Sequence, residues 1–302
     1  MKRKLAVVML LACFVFVSLF ANRQVADAAS NTNGYVAGDI VTFGSYPQTH
    51  VTDSTLIGKL ESEVRGKTFT NYPYTSYNSA YDTGSSNFMM KRNYDMMSYC
   101  DFDYQGAKYR AVKITEYRPP YSWGKPGIDS RQEANGYLKG NTYFFKWEPI
   151  EWIVLDPEEG FLLSRYGLDA QAFCEYYKET SYNGPESVLY SGGWAVNYRC
   201  ATIREWLTVP SFVQNTYKDF NFINAAFSET ERQNVINETT LKEEVPNFST
   251  FKDKVFLLSA EEFDQYKSVA GVTTDGKSTD YALAQGSAAG TGSGGFYWTL
   301  RS

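Results

Sequence analysis

From Tyr143 to Ser164 the chain reads YFFKWEPIEWIVLDPEEGFLLS. Ile150, Trp152 and Val154 alternate onto one face of an extended segment, and Ile153 and Leu155 onto the other. Apolar side chains on both faces predict a central strand covered from both sides. Asp156-Pro157 ends it, and Phe161-Leu162-Leu163 opens the next strand. Upstream, Ile40 to Phe43 predicts a short strand, closed by Gly44 to Gln48 because Pro47 cannot donate to a ladder. Leu56, Leu60 and Val64 recur at helical spacing behind a cap at Asp53 or Ser54, and Gly66 stops that helix. Phe102 and Tyr104 precede Gln105-Gly106, and Tyr109, Ala111 and Val112 follow, which predicts a hairpin.

Residues 130–137 predict a turn of helix. Thr202 opens a helix carrying Ile203, Trp206 and Leu207, and Pro210-Ser211 opens another through Phe212, Val213 and Tyr217. Ser228-x-x-Glu231 is a capping box opening a helix to Ile236, and Ser259-Ala260-Glu261-Glu262 opens one to Tyr266. Asp253 to Ser259 and Phe296 to Arg301 predict two further strands. Short strands and helices without regular βαβ alternation predict an α+β fold. Two stretches break the pattern. Residues 67–142 and 174–199 are rich in Tyr, Ser, Asn and Gly and predict long excursions from the core.

Composition and charge then narrow the setting. Lys2, Arg3 and Lys4 precede an apolar run from Leu5 to Ala21, and Ala26-Asp27-Ala28 is a small-residue cleavage site. Residues 1–28 therefore predict a signal peptide, 29–37 a flexible lead and 38–302 a single domain. Cleavage leaves no apolar stretch able to span a bilayer and implies a secreted or cell-surface protein. It also leaves 25 basic against 33 acidic side chains, a net charge of −8, which disfavours a nucleic-acid partner. Of the 4 cysteines, Cys13 leaves with the signal. Cys174 and Cys200 flank one loop and form the candidate disulfide, with Cys100 left over; three small buried cysteines are the alternative.

Candidate chemistry is sparse. His50, alone among 302 residues, is expected in a loop after the first strand and precludes a multi-histidine metal centre. Asp101-x-Asp103-x-Gln105-Gly106 copies half of a calcium loop, but Val112 stands where the bidentate glutamate belongs. No metal site or cofactor is expected; calcium on other loop carboxylates has no ligand spacing behind it. Ser122-Trp123-Gly124-Lys125 matches S-x-x-K without the helix that motif needs. Glu148 and Glu151, three apart on a strand, do not converge as an acid–base pair.

Several words carry a resemblance: GDIVTFGSYPQT (38–49), YFFKWEPIEWIVLD (143–156), LLSRYGLD (162–169), ATIREWL (201–207), AAFSETERQNVI (225–236), DKVFLLSAEE (253–262), TDYA (279–282) and YWTLRS (297–302). Together they resemble an uncharacterised bacterial family of secreted or surface proteins, a domain of unknown function. The resemblance implies a fold similar to C-type-lectin-like and formylglycine-generating-enzyme-like (sulfatase-modifying) domains. It also implies strands beyond the W-x-L-R-S word, where this sequence ends at Ser302, and a second aromatic where Thr299 stands. Sulfatase-modifying enzymes need reactive cysteines in their C-terminal half. Cys200, the last one here, lies in no such motif, so that activity is not carried over.

Rigid amphipathic rings on an adaptable backbone make the tyrosine-rich stretches the candidate binding surfaces, at 71–123 and 176–198. Their candidate contacts are Tyr74, Tyr77, Tyr177, Tyr182, Tyr190 and Trp194, with Arg301 from the last strand. Arg204, Trp206 and Trp298 are expected to anchor the core. The functional expectation is an exported, non-catalytic module that binds a glycan or a surface protein. The alternatives are a modifying enzyme using Cys174 or Cys200, and a structural adhesion protein.

Overall fold

The computed structural model describes residues 34–72, 76–79, 90–93, 97–115, 117, 131–171, 198, 202–208, 220–241, 250–272 and 276–287, with 76–79, 90–93, 131 and 202 as backbone only. In chain order the strands are β1 (Ile40–His50), β2 (Thr70–Asn71), β3 (Ser76–Ser79), β4 (Met90–Asn93), β5 (Met97–Tyr104), β6 (Ala107–Ile114), β7 (Thr142–Asp156), β8 (Phe161–Ser164), β9 (Tyr166–Gly167), β10 (Thr239–Leu241), β11 (Phe251–Asp253) and β12 (Lys277–Ser278). The helices are α1 (Ser54–Val64), α2 (Arg131–Ala134), α3 (Thr202–Thr208), α4 (Phe222–Ala226), α5 (Glu229–Asn234), α6 (Ala260–Tyr266) and α7 (Asp280–Ala284). This is a mixed α+β fold built on a mainly antiparallel sheet.

The main sheet runs β1-β7-β6-β5-β2, every pair antiparallel. β7 is its spine: 15 residues, or about 50 Å of extended chain. One edge of β7 pairs with β1. The other pairs first with β6 at Thr142 to Lys146 and then with β8 at Trp152 to Asp156. Both faces are covered, as the alternation of β7 predicts. Phe144, Ala111, Cys100 and Phe102 pack against Leu60 and Val64 of α1. On the opposite face Phe145, Trp147, Ile150, Trp152 and Val154 join Ile203, Trp206, Phe222, Ile223 and Tyr281 in the largest core. Phe145 and Trp147 share that face with Ile150, so the alternation slips by one residue at Glu148-Pro149. Ile153, Leu155, Leu163 and Leu258 form a third cluster beside α6.

Pro47 does not end the first strand. β1 continues to His50, because β1 is an edge strand whose register shifts between Pro47 and Thr49, where the missing N–H removes no ladder bond. The extra residue, Gln48, is buried, and its Nε2 donates to the carbonyls of Glu148 and Pro149, both at 3.0 Å. The free edge of β1 is blocked by side chains. Gly44 N donates to Glu231 Oε1 at 3.0 Å, and His50 N donates to Asp280 Oδ2 at 2.9 Å.

The expected strand from Asp253 to Ser259 is also corrected. Ladder pairing joins Thr239–Leu241 to Phe251–Asp253, residues 254–258 continue outside any strand, with Val255 to Leu257 against the large core and Leu258 in the third cluster, and Ser259 makes an isolated bridge. Apolar packing on two clusters replaces a ladder there. The hairpin predicted around Gln105-Gly106 is β5–β6. Its two-residue turn has φ of 50° and 79°, the paired positive values that a type I′ turn requires. These strands sit inside the main sheet, so this part of the tyrosine-rich stretch belongs to the body of the domain. Helix α1 starts at the expected cap, Asp53, whose side chain accepts from Leu56 N at 2.7 Å. Both capping boxes form, at Ser228/Glu231 and Ser259/Glu262. Helix α5 closes at Asn234, two residues short of the expected Ile236. Helices α4 and α7, five residues each, are too short for periodicity to register.

Candidate functional site

The chemistry gathers where β6, β1 and the α4–α5 corner meet. Lys108 and Arg110 lie two residues apart on β6 and so point to the same face of the sheet. Both reach Trp147 of β7: Lys108 Nζ lies 3.5 Å from the indole centroid, and the guanidinium carbon of Arg110 lies 5.0 Å from it. The Trp147 indole N–H is buried with no hydrogen-bond acceptor among the described residues.

Arg110 is 2% exposed. Its Nε and Nη2 donate to the two carboxylate oxygens of Asp101, each at 2.7 Å, and its Nη1 donates to Tyr281 Oη at 3.0 Å. The rings of Tyr99, Tyr281, Phe220 and Tyr46 complete a cage around it at 4.5 to 6.0 Å. Burial alone would lower its pKa; Tyr281 and Asp101 outweigh that and keep the guanidinium charged. The network continues through the Tyr72–Tyr281 hydroxyl contact at 2.9 Å. Tyr46 Oη donates separately to Asp169 Oδ2 at 2.6 Å. Burial pushes the pKa of Tyr46, Tyr72 and Tyr281 well above the ordinary phenol value, so none of them acts as a base near neutral pH.

An open cavity of about 500 Å³ lies beside this cage. Its polar lining is Ser45, Lys108, Asn224, Ser228, Glu231 and Arg232, and the rest is Gly44 and Ala225 to Phe227. Gly44 is required at its wall. The residue has φ of 66°, and a Cβ there would lie 2.6 Å from the Phe227 ring and 2.9 Å from Ala226 O. Two lining groups are already committed. Glu231 Oε2 accepts from Ser228 N and Ser228 Oγ at 2.7 Å each while Oε1 holds Gly44, and Arg232 Nη1 donates to Phe227 O at 2.6 Å. Lys108 makes no ion pair or hydrogen bond among the described residues. Partial burial lowers its pKa, Asp101 and Asp103 oppose that shift, and Arg110 reinforces it.

Among the described residues, the imidazole and the Asp101 carboxylate are engaged and the Cys100 thiol is buried. His50 is the last residue of β1, half-buried against the rings of Tyr137, Tyr143 and Phe145, rather than in a loop. Burial lowers its pKa against the opposing Asp280 carboxylate. Cys100 is a buried free thiol whose pKa is raised by burial and by Asp101. Asp101, the first residue of the calcium-like pattern, is the partner of Arg110. Among the described residues no three His, Cys, Asp or Glu side chains cluster as a metal site would need.

Tyr74, Tyr177, Tyr182, Tyr190, Trp194, Arg301, Cys174 and Cys200 lie outside the described residues, as do Trp298 and the segment 1–33. Tyr77 lies on β3, opposite Arg92 of β4. Tyr72, Tyr109 and Tyr137, from the same tyrosine-rich stretch, are buried in the core instead of being presented outward. Arg204 and Trp206 are buried as expected, with Arg204 on Asp253. The cavity itself is absent from the expectations above: Lys108, Asn224 and Ser228 come from three elements, and no spacing in the sequence joins them.

Residues 160–302 match the family model described as a domain of unknown function, DUF6273. The match supports an uncharacterised family of this kind, as the sequence words imply, and it begins after β7. No curated protein and no solved structure matches the chain. Inside the DUF6273 match, the words have structural roles. In TDYA, Thr279 caps α7, Asp280 holds His50 N, Tyr281 holds Arg110 and Ala282 is fully buried. In LLSRYGLD, Asp169 receives Tyr46. In DKVFLLSAEE, Asp253 receives Arg204, and Ser259 caps α6.

Proposed function

We propose that this chain is an exported, non-catalytic binding module of the bacterial cell surface, recognising a glycan or a protein. The observation that carries the reading is the open cavity beside the Arg110 cage. It sits on the main sheet and carries uncommitted polar groups at Lys108, Asn224 and Ser45, while Glu231 is held by Gly44 and Ser228, Cys100 is buried on the α1 face and His50 packs against Tyr143. The cavity's volume falls within the range of ligand clefts, and its lining is mainly polar. In this reading the fold is C-type-lectin-like, and Tyr74, Tyr77, Tyr177, Tyr182, Tyr190, Trp194 and Arg301 are the loop contacts that the sequence proposes for the ligand. The test is a screen of the mature chain, from Ala29 onward, against surface glycans and bacterial surface proteins. Saturable binding without chemical change of the ligand is expected, and turnover of any ligand refutes the reading.

A further inference from the structure

We propose that the cavity between β1, β6 and the α4–α5 corner takes a carboxylate-bearing saccharide, with Lys108 as its anion contact. This rests on the binding-module reading and names the ligand class for it. The charge of the lining decides the sign. Lys108 and Arg232 contribute two positive charges and Glu231 one negative. The Glu231 oxygens are taken by Gly44 N, Ser228 N and Ser228 Oγ, so this carboxylate is a strut and not the counter-ion of Lys108. Both oxygens of Asp101 are held by Arg110. The Lys108 ammonium lies over the Trp147 ring and closes no ion pair among the described residues, although Asp103 stands opposite it on β5 and contributes to its electrostatic surroundings. An ammonium at a cavity wall that closes no ion pair is a ready contact for a ligand carboxylate.

The remaining free groups favour a sugar over an acidic peptide. The Asn224 side-chain amide and the Ser45 hydroxyl make no hydrogen bond among the described residues, and they offer donors and acceptors suited to ring hydroxyls. A peptide would gain most by adding to the edge of β1. The Gly44 and His50 N–H groups on that edge already donate to Glu231 and Asp280.

The test is titration calorimetry of the mature chain with a galacturonic acid trisaccharide, with its neutral methyl ester and with a short polyglutamate peptide. Lys108→Gln, Lys108→Arg and, as a surface control on α1 across the sheet, Lys59→Gln are compared with the unaltered chain. The uronate is expected to bind saturably. Esterification or Lys108→Gln should weaken it about tenfold or more, Lys108→Arg should recover part of the loss, and Lys59→Gln should change nothing. Equal binding of acid and ester, no effect of Lys108→Gln, or no saturable binding of the uronate overturns the inference, and so does tighter binding of polyglutamate. A neutral glycan bound equally by the unaltered chain and Lys108→Gln also overturns it, yet leaves the binding-module reading standing, so the two fail separately.

Discussion

Replacing Asp253 by Asn measures how firmly α3 is tied to the β10–β11 pair. Arg204 of α3 and Asp253 of β11 are 2% and 3% exposed and are joined by two parallel hydrogen bonds of 2.8 Å. The guanidinium carbon also lies 4.3 Å from the Phe251 ring centroid. The amide keeps the shape of the carboxylate but removes its charge, so the buried guanidinium loses a charged partner held by two hydrogen bonds. Breaking such a pair from one side costs about 3–5 kcal/mol. Against a domain stability of roughly 5–15 kcal/mol this is a large fraction, and it corresponds to a fall in Tm of roughly 6–20 °C. Circular dichroism during heating and urea titration reads it. The double variant Arg204→Met/Asp253→Leu should recover much of the loss, because it removes both buried charges together. A cost below about 1 kcal/mol for Asp253→Asn, or a double variant whose loss equals the sum of the singles, refutes the reasoning.

Three further outcomes follow from the same contacts. Gly44→Ala should destabilise by about 2–5 kcal/mol, from the left-handed backbone together with the clash against Phe227 and Ala226, and an unchanged urea midpoint contradicts it. His50 has a folded pKa below the unfolded value of 6.5, so it binds protons less readily in the fold; its contribution to stability is present above that value and is lost as pH falls from it toward the lower folded pKa. Urea midpoints measured across that window should decline for the unaltered chain and less for His50→Gln, and an imidazole NMR titration at or above 6.5 contradicts the assignment. Cys100, buried with a raised pKa, should resist alkylation in the folded protein and react once it is denatured, as peptide mapping would record.

What the sequence made legible was local. Leu56, Leu60 and Val64 behind Asp53 specify a helix, and Gln105-Gly106 a hairpin, because a few adjacent residues carry the whole instruction. The two-sided burial of β7 is likewise written in one run. Pro47 misleads because whether a proline breaks a strand depends on a neighbour more than ninety positions away. The segment after Asp253 misleads because apolar residues pack on two clusters without pairing. The candidate site was illegible for the same reason. Lys108 reads as a hairpin lysine, Glu231 as a helix cap and Gly44 as a turn, and only the register of β1 and β6 on β7 brings them to one cavity. The words that carry the family resemblance proved to be struts: Gly44, Asp169, Arg204, Asp253 and Tyr281 each hold one element to another.

The most direct test of the account is to take a glycan or surface protein captured by the mature chain and measure its affinity for Asn224→Ala and Lys108→Gln, alongside its chemical integrity after prolonged incubation. The account predicts weakened binding with the fold retained, Lys108→Gln losing no more than the roughly 0.5–2 kcal/mol of its contact with Trp147, and a ligand recovered intact. A ligand cleaved or modified by the protein, or an affinity indifferent to both substitutions, would contradict it.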